Sequence, residues 1–153
     1  MTLSLRNRQR TRSIDLRLLR KVTVFLLKEI LNEPQFELGI HFVGADEITR
    51  LNETFLQHHG STDVITFDYK EAKNENGLHG EIFISVDDAV MQAKEFRTTW
   101  QMEVARYIVH GILHLQGQDD LDSASRKKMK RVEERTLKEL AKQFSLKQLQ
   151  RKL

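Results

Sequence analysis

The chain has 153 residues, of which 39% are hydrophobic and none is cysteine, and its net charge is +3. This length and composition predict one globular domain over residues 1–153 with a core of its own. The lack of cysteine excludes disulfides and thiolate metal ligands and favours a cytoplasmic protein. No apolar run is long enough for a membrane span or a signal peptide, so no membrane partner is expected.

The first half of the chain alternates strand patterns with helix patterns. In chain order we predict a short strand at 3–5, a helix at 14–31 with Ser13 as its N-cap, a strand at 36–43 and a helix that begins at 44–46. A loop at 58–61 leads to a third strand at 63–67. A polar connection at 68–78 then precedes a fourth strand at 80–85, which is either an edge strand that forms a wall of the substrate cleft near the candidate metal or a core strand of the sheet.

The second half is predicted to be helical. Asp87 is the expected N-cap of a helix that ends near residue 96, a second helix covers 103–116, and a third begins at Ser123 or Ser125 and ends near Ser145. Together the elements predict an α/β (α+β) fold in which a small mixed sheet of four strands packs against about five helices. The helix at 103–116 is expected at its centre.

That central helix carries the most informative motif, His110-Gly-Ile-Leu-His114-Leu-Gln-Gly117-Gln-Asp119-Asp120. Two histidines four residues apart lie on one face of a helix and can share a metal ion. Gly117 can adopt the left-handed conformation that reverses the chain and returns Asp119 or Asp120 to the histidines. Two histidines and one carboxylate leave a zinc ion one open position, which indicates a hydrolase rather than a structural site.

The spacing of the two histidines is also that of metzincin proteases. In those enzymes a glutamate general base follows the first histidine, but Gly111 occupies that position here. The spacing therefore supports a metal ion, and the glycine argues against a metalloprotease.

The motif resembles the signature of the YbeY endoribonucleases of bacterial ribosomal RNA maturation, His-Gly-x-Leu-His-Leu-x-Gly-x-Asp-His. The segments at 51–55 and 61–67 resemble the family's Leu-Asn-x-x-Tyr/Phe and Thr-Asp-Val-Leu-Ser-Phe, and the segment at 80–85 resembles its Gly-Asp-Ile-x-Ile-Ser strand. The resemblance covers residues 36 to 135, in the family's order.

The resemblance implies a single-strand-directed endoribonuclease that matures the 3′ end of small-subunit ribosomal RNA and acts in ribosome quality control. It implies one divalent ion per chain, expected to be zinc, held by His110, His114 and Asp120. Asp119 is then expected to orient a histidine ring or the turn after Gly117. The implied partners are ribosomal RNA, the small ribosomal subunit with its proteins, and a ribosome-assembly GTPase.

This chain departs from the family pattern at two positions. Asp120 stands where the family has a third histidine, which adds a negative charge and favours harder metals. Leu56 stands where the family has an arginine, which removes a cation from the reacting phosphate. His58 and His59 can partly replace that cation, although exposed loop histidines have the same pattern.

The pattern assigns no side chain as general base, and water bound to the ion is the expected nucleophile. Ser85 and Asp63, followed by Thr62 and His79, are candidates for positioning phosphate or water.

Basic residues at both chain ends suit a protein that binds RNA. Residues 1–21 carry seven Lys or Arg and one acid, residues 122–153 carry eleven and four, and the middle carries seven and seventeen. We expect phosphate contacts from the start of the last helix, at Arg126, Lys127, Lys128, Lys130 and Arg131. Charge alone does not separate RNA cleavage from RNA binding, so an RNA-binding ribosome-assembly factor with a structural or weakly catalytic metal is the alternative.

Overall fold

A computed structural model describes residues 1–71 and 76–151, so the middle of the connection predicted at 68–78 lies outside the described residues. Four strands and five α-helices occur in the order β1 (Thr2–Asn7), α1 (Leu16–Phe25), β2 (Phe36–Val43), α2 (Ala45–Phe55), β3 (Val64–Asp68), β4 (Leu78–Ser85), α3 (Val86–Phe96), α4 (Trp100–Leu115) and α5 (Ser123–Gln143) within these residues. A π-helical turn (Leu26–Ile30) extends α1, and a 3₁₀ turn (Leu146–Leu149) follows α5. The predicted α+β class is confirmed.

The strands form one mixed sheet in the order β1-β2-β4-β3. β2 is parallel to both β1 and β4, and β3 is antiparallel to β4. Ile82 of β4 therefore has a partner on each side, Ile40 in β2 and Thr66 in β3, so of the two alternatives left open by the sequence, 80–85 is the core strand and not the edge strand. Strand pairing is a tertiary property, and only the burial of β4 on both faces marks it as an interior strand.

Helices cover the two faces of the sheet unequally. Ile82 lies under α4, whereas the next residue, Phe83, packs with Ile48 of α2 in a small separate cluster. Consecutive residues of a strand point to opposite faces, so α4 and α2 lie on opposite sides of the sheet. α4 also packs against α3 and α5, which confirms its predicted central position. Among the described residues, no helix combines the length and apolar character needed to cross a membrane.

A glycine lets α4 approach the sheet closely. A Cβ atom on Gly111 would lie 2.9 Å from Cγ2 of Ile82 in β4, closer than carbon atoms pack. At the end of the same helix, the side chain of Leu115 lies over Gly80, where an added Cβ would be 2.9 Å from Leu115 Cδ2. The backbone of α4 between its two histidines thus rests directly on β4.

The N-terminus of α1 differs from the prediction because the segment before it is held by the C-terminal turn. Asp15, not Ser13, is the N-cap, and its Oδ1 accepts a hydrogen bond from the Leu18 N–H at 3.0 Å. The Asp15 N–H donates to the carbonyl of Leu149 at 2.8 Å, and Ile14 pairs with Gln150 in a short antiparallel bridge. This tertiary contact keeps residues 13–15 extended.

The N-terminus of α3 also differs from the prediction. Ser85 caps α3, and its Oγ accepts a hydrogen bond from the Asp88 N–H at 3.1 Å. The predicted cap, Asp87, instead accepts a hydrogen bond from the Ala45 N–H at 2.6 Å and so joins α3 to α2. α5 begins at Ser123, one of the two starts that the sequence offered.

Candidate metal centre

The last turns of α4 present His110 and His114 on one side of the helix. α4 ends in a Schellman turn, in which the Gly117 N–H donates to the His114 carbonyl at 2.9 Å and the Gln118 N–H donates to the Leu113 carbonyl at 3.0 Å. Gly117 has a φ of 95°, the left-handed conformation predicted for it. The chain reverses at this glycine and runs back toward the histidines.

That reversal places Asp120 opposite both imidazoles. The two Nε2 atoms are 3.0 Å apart, and the Asp120 carboxylate oxygens lie 3.7 Å from Nε2 of His110 and 3.8 Å from Nε2 of His114. One donor atom from each residue fits within a cluster no wider than 4.8 Å. Ligand atoms about 2.0–2.1 Å from a tetrahedral zinc ion are about 3.3–3.4 Å apart, so the observed separations suit one shared ion.

Glu133 of α5 completes the surroundings of His110. Its Oε1 accepts a hydrogen bond from Nδ1 of His110 at 2.7 Å, and the glutamate is only 9% exposed. A proton held on Nδ1 leaves the Nε2 lone pair free to bind a metal ion. Carboxylates behind ligating histidines commonly hold the ring proton in this way. Sequence reasoning missed this residue. The feature of the sequence that could have revealed it is its position: Glu133 is a carboxylate within the apolar stripe of α5, one turn from both Met129 and Leu137.

The two histidines are inequivalent in their affinity for protons. Burial lowers the pKa of His110, but the hydrogen bond to Glu133 and the charges of Glu133, Asp120 and Asp63 together raise it above its usual value. Burial and the neighbouring charge of His110 hold the pKa of His114 below its usual value. The first additional proton that the ion-free pair takes up therefore goes to His110, and on Nε2 that proton competes with a metal ion.

Comparison with known proteins relates this geometry to a family. The sequence profile described as Endoribonuclease YbeY matches residues 4–141. This chain belongs to the YbeY family. Membership confirms the predicted family and the predicted class of enzyme, a nuclease among the hydrolases.

Relatives match the chain over most of its length. Endoribonuclease YbeY of Salinibacter ruber is 35% identical over 106 residues, which cover 65% of this chain and 68% of the relative. Endoribonuclease YbeY of Alkaliphilus metalliredigens is 30% identical over 148 residues, which cover 92% and 96%. The solution structure of TM1509 from Thermotoga maritima aligns with a TM-score of 0.63 at 26% identity and covers 91% of this chain and 89% of its own.

The two weak catalytic candidates of this YbeY member have different surroundings. Ser85 is fully buried, and its hydroxyl caps α3. Asp63 is half-buried, and its Oδ1 accepts a hydrogen bond from the Val64 N–H at 2.8 Å. Its charge also contributes to the raised pKa of His110, so its carboxylate lies within electrostatic reach of the candidate metal ligands. Of the two, only Asp63 is partly accessible to solvent.

Asp119 supports the turn before α5 rather than an imidazole ring. Its Oδ1 accepts a hydrogen bond from the Leu121 N–H at 3.2 Å, whereas the carboxylate that orients a ring is that of Glu133. The expectation for Asp119 offered the ring or the turn, and the structure places it at the turn.

The remaining candidates lie on the protein surface. Leu56, in the position of the family's arginine, follows the last turn of α2 and is 42% exposed. His58 and His59 are exposed in the loop beyond it, and Thr62 is half-buried. Nε2 of His79 lies 3.8 Å from Oε2 of Glu37 on the rim of the sheet. None of these three histidines belongs to the cluster of donor atoms found among the described residues.

Gly111 has a packing role that also bears on the protease alternative. The side chain of Ile82 occupies the space that any side chain at position 111 would need. A glutamate in this position of the helix would meet β4 instead of projecting toward an ion. The packing of α4 therefore leaves no room for the metzincin general base.

The predicted RNA-binding residues occupy the first two turns of α5. Nη1 of Arg126 donates a hydrogen bond to the backbone carbonyl of Asp120 at 3.4 Å, which ties the start of α5 to the loop that carries the third candidate ligand. Lys127, Lys130 and Arg131 line a shallow surface groove, and Lys128 is exposed but outside its lining.

Proposed function

We propose that the chain is a single-strand-directed, metal-dependent endoribonuclease that acts in ribosomal RNA processing. The observation that carries the proposal is the convergence of His110, His114 and Asp120, with Glu133 behind His110, in a chain of the YbeY family. Within that role we assign it to maturation of the 3′ end of small-subunit ribosomal RNA and to ribosome quality control. Its partners are then ribosomal RNA, the small subunit and its proteins, and a ribosome-assembly GTPase, in the cytoplasm.

The three donor residues would hold one divalent ion, which we take to be zinc. When bound, such an ion supplies a Lewis acid for the phosphate oxygen and acidifies water for attack on phosphorus. The nitrogen donors favour zinc, whereas the carboxylate of Asp120 adds negative charge and admits harder ions such as Mn²⁺. Three protein donors leave a position open to water or substrate.

The protein side chains around the centre act by orientation and charge. Glu133 holds the proton of His110 at Nδ1, so Nε2 stays free, and it fixes the plane of the ring. Asp63 is the nearby carboxylate that we propose to position water at the phosphate. Leu56 supplies no cation, so stabilisation of the negative charge that develops in the transition state depends on the metal centre and on basic residues elsewhere.

The test compares purified wild-type protein of known zinc content with His114→Ala and Asp120→Ala, each incubated with single-stranded and duplex RNA. We expect cleavage of the single strand that is lost in both variants and retained in Glu139→Gln, a control at an exposed position on α5 that carries no candidate ligand. Cleavage that persists in metal-free His114→Ala would identify a contaminating nuclease.

The second candidate is an RNA-binding ribosome-assembly factor in which the ion is structural or weakly catalytic. The exposed Leu56, which replaces a cation with an apolar side chain, favours it. The same RNA samples separate the two candidates, because an assembly factor binds RNA without cleaving it.

A further inference from the structure

The exposed side of α5 carries a row of cations that starts close to the metal ligands. A groove of about 500 Å³ on this side is lined by Lys127, Lys130, Arg131, Glu134, Arg135 and Lys138. Their spacing of three and four residues keeps them on one face of the helix. Arg126, the residue before the row, donates a hydrogen bond to the backbone carbonyl of Asp120 at 3.4 Å, so this end of the row lies near the candidate centre.

The charge of this row is not neutralised within the protein. Its single acid, Glu134, forms an ion pair with Arg106 of α4. Across residues 1–71 and 76–151, none of the five cations is paired with a carboxylate. The next lysine along the helix, Lys142, lies 3.5 Å from Glu139, so the unpaired row ends at Lys138. Such a surface attracts a polyanion.

Contacts between α4 and α5 fix the row relative to the metal ligands. Glu133 binds His110 and the adjacent Glu134 binds Arg106, so consecutive residues of α5 hold the two helices in register. From Lys127 to Lys138 the row spans about 16 Å at 1.5 Å per residue. A strand with a phosphate at the metal centre can therefore lie along α5 over several further phosphates.

We propose that this row, the α5 track, binds the phosphates of a single RNA strand whose scissile bond lies at the metal centre. The inference rests on the proposed function and adds where the substrate is held. Among the residues that the structure describes, no aromatic side chain lines the groove, so the track contacts the backbone without reading or stacking bases. Arg135 and Lys138, beyond the residues expected from sequence to bind RNA, form its far end.

The test measures RNA binding separately from cleavage. Arg135→Gln/Lys138→Gln is introduced into His114→Ala protein, and the affinity for a labelled single-stranded RNA is measured over a series of salt concentrations. The matched control is Arg17→Gln/Lys21→Gln, which removes one arginine and one lysine from exposed positions on α1. We expect the α5 pair to weaken binding and to reduce the salt slope by about 1.4, since each single-strand phosphate contact contributes about 0.7. The α1 pair should change neither.

Equal losses in the two variants would overturn the track, because binding would then follow net charge alone. An unchanged affinity in the α5 variant would overturn it as well, as would tighter binding of polyglutamate than of RNA, which would identify an acidic protein as the partner. If the α5 variant alone loses affinity while wild-type protein cleaves no RNA, the track stands and the proposed nuclease function fails.

Discussion

Glu133 and His110 lie 23 positions apart in the chain, yet the carboxylate of one accepts a hydrogen bond from Nδ1 of the other at 2.7 Å. The contact links α5 to α4 at the point where the candidate metal ligands converge. It defines which imidazole nitrogen faces Asp120, and it raises the pKa of His110 against the opposing effect of burial. The α4–α5 interface is therefore part of the site and not merely its support.

Removal of this carboxylate should weaken metal binding while the fold persists. We expect Glu133→Gln to lower the affinity for zinc by about 10–100-fold, the usual cost of losing an outer hydrogen bond to a ligating histidine. Competition with a chromogenic chelator measures the change. Glu139→Gln, an exposed change on the same helix, is the control, and an unaltered affinity in Glu133→Gln would contradict the orienting role.

The third ligand position should control metal preference. Asp120→Ala should lower zinc affinity by more than about 100-fold, because it removes a direct ligand instead of an outer hydrogen bond. Asp120→His should retain zinc and lower the affinity for Mn²⁺, since imidazole replaces a hard oxygen donor. Titration calorimetry with both ions measures the two affinities. If Asp120→Ala binds zinc like the wild type, then Asp120 is not a ligand.

Metal affinity should fall as the pH falls, because a proton on His110 competes with the ion. The pKa of His110 is raised, so this competition begins above pH 6.5, and affinity should drop about tenfold per pH unit below the pKa. Glu133→Gln should move the drop to lower pH. Without zinc the effect has the opposite sign: the stability from protonated His110 is complete below pH 6.5 and is lost as the pH rises through the raised pKa. Unfolding in urea at several pH values checks that sign.

The close approach of α4 to β4 should make Gly111 intolerant of a side chain. Gly111→Ala would place Cβ 2.9 Å from Ile82 Cγ2, and we expect overpacking to cost about 1–3 kcal/mol of unfolding free energy. Urea denaturation measures it. In a double-mutant cycle, Ile82→Ala should relieve part of that cost. Strictly additive losses would show that the two side chains do not compete for this space.

The Tyr107 hydroxyl should destabilise the core. It is buried and has no hydrogen-bond partner among the described residues, and burial together with the charges of Asp63, Glu103 and Asp88 raises its pKa. Tyr107→Phe should therefore raise the unfolding free energy by about 1 kcal/mol. Tyr69→Phe is the matched control, because the Tyr69 hydroxyl donates to Glu81 at 2.6 Å and its loss should not stabilise the protein. A destabilised Tyr107→Phe would indicate a partner for the hydroxyl.

Local sequence patterns determined the elements and the ligand pair. Strand formers at 36–43 predicted β2 with its observed bounds, and the spacing of His110 and His114 placed both on one helix face before any fold was considered. Gly117 predicted the left-handed reversal because only glycine adopts that conformation at no steric cost. These three predictions, of β2, of the histidine pair and of the turn at Gly117, depend only on residues within a few positions of one another.

Tertiary structure decided which residues meet across the chain. The interior position of β4 depends on pairing with β2 and β3, and the capping role of Asp15 depends on the C-terminal turn that reaches Leu149. Glu133 becomes the partner of His110 only when α5 packs on α4, because no periodicity within one helix specifies what a buried carboxylate faces on another. The sequence by itself thus supplied the candidate metal ligands, and packing supplied the carboxylate that orients one of them and shifts its pKa.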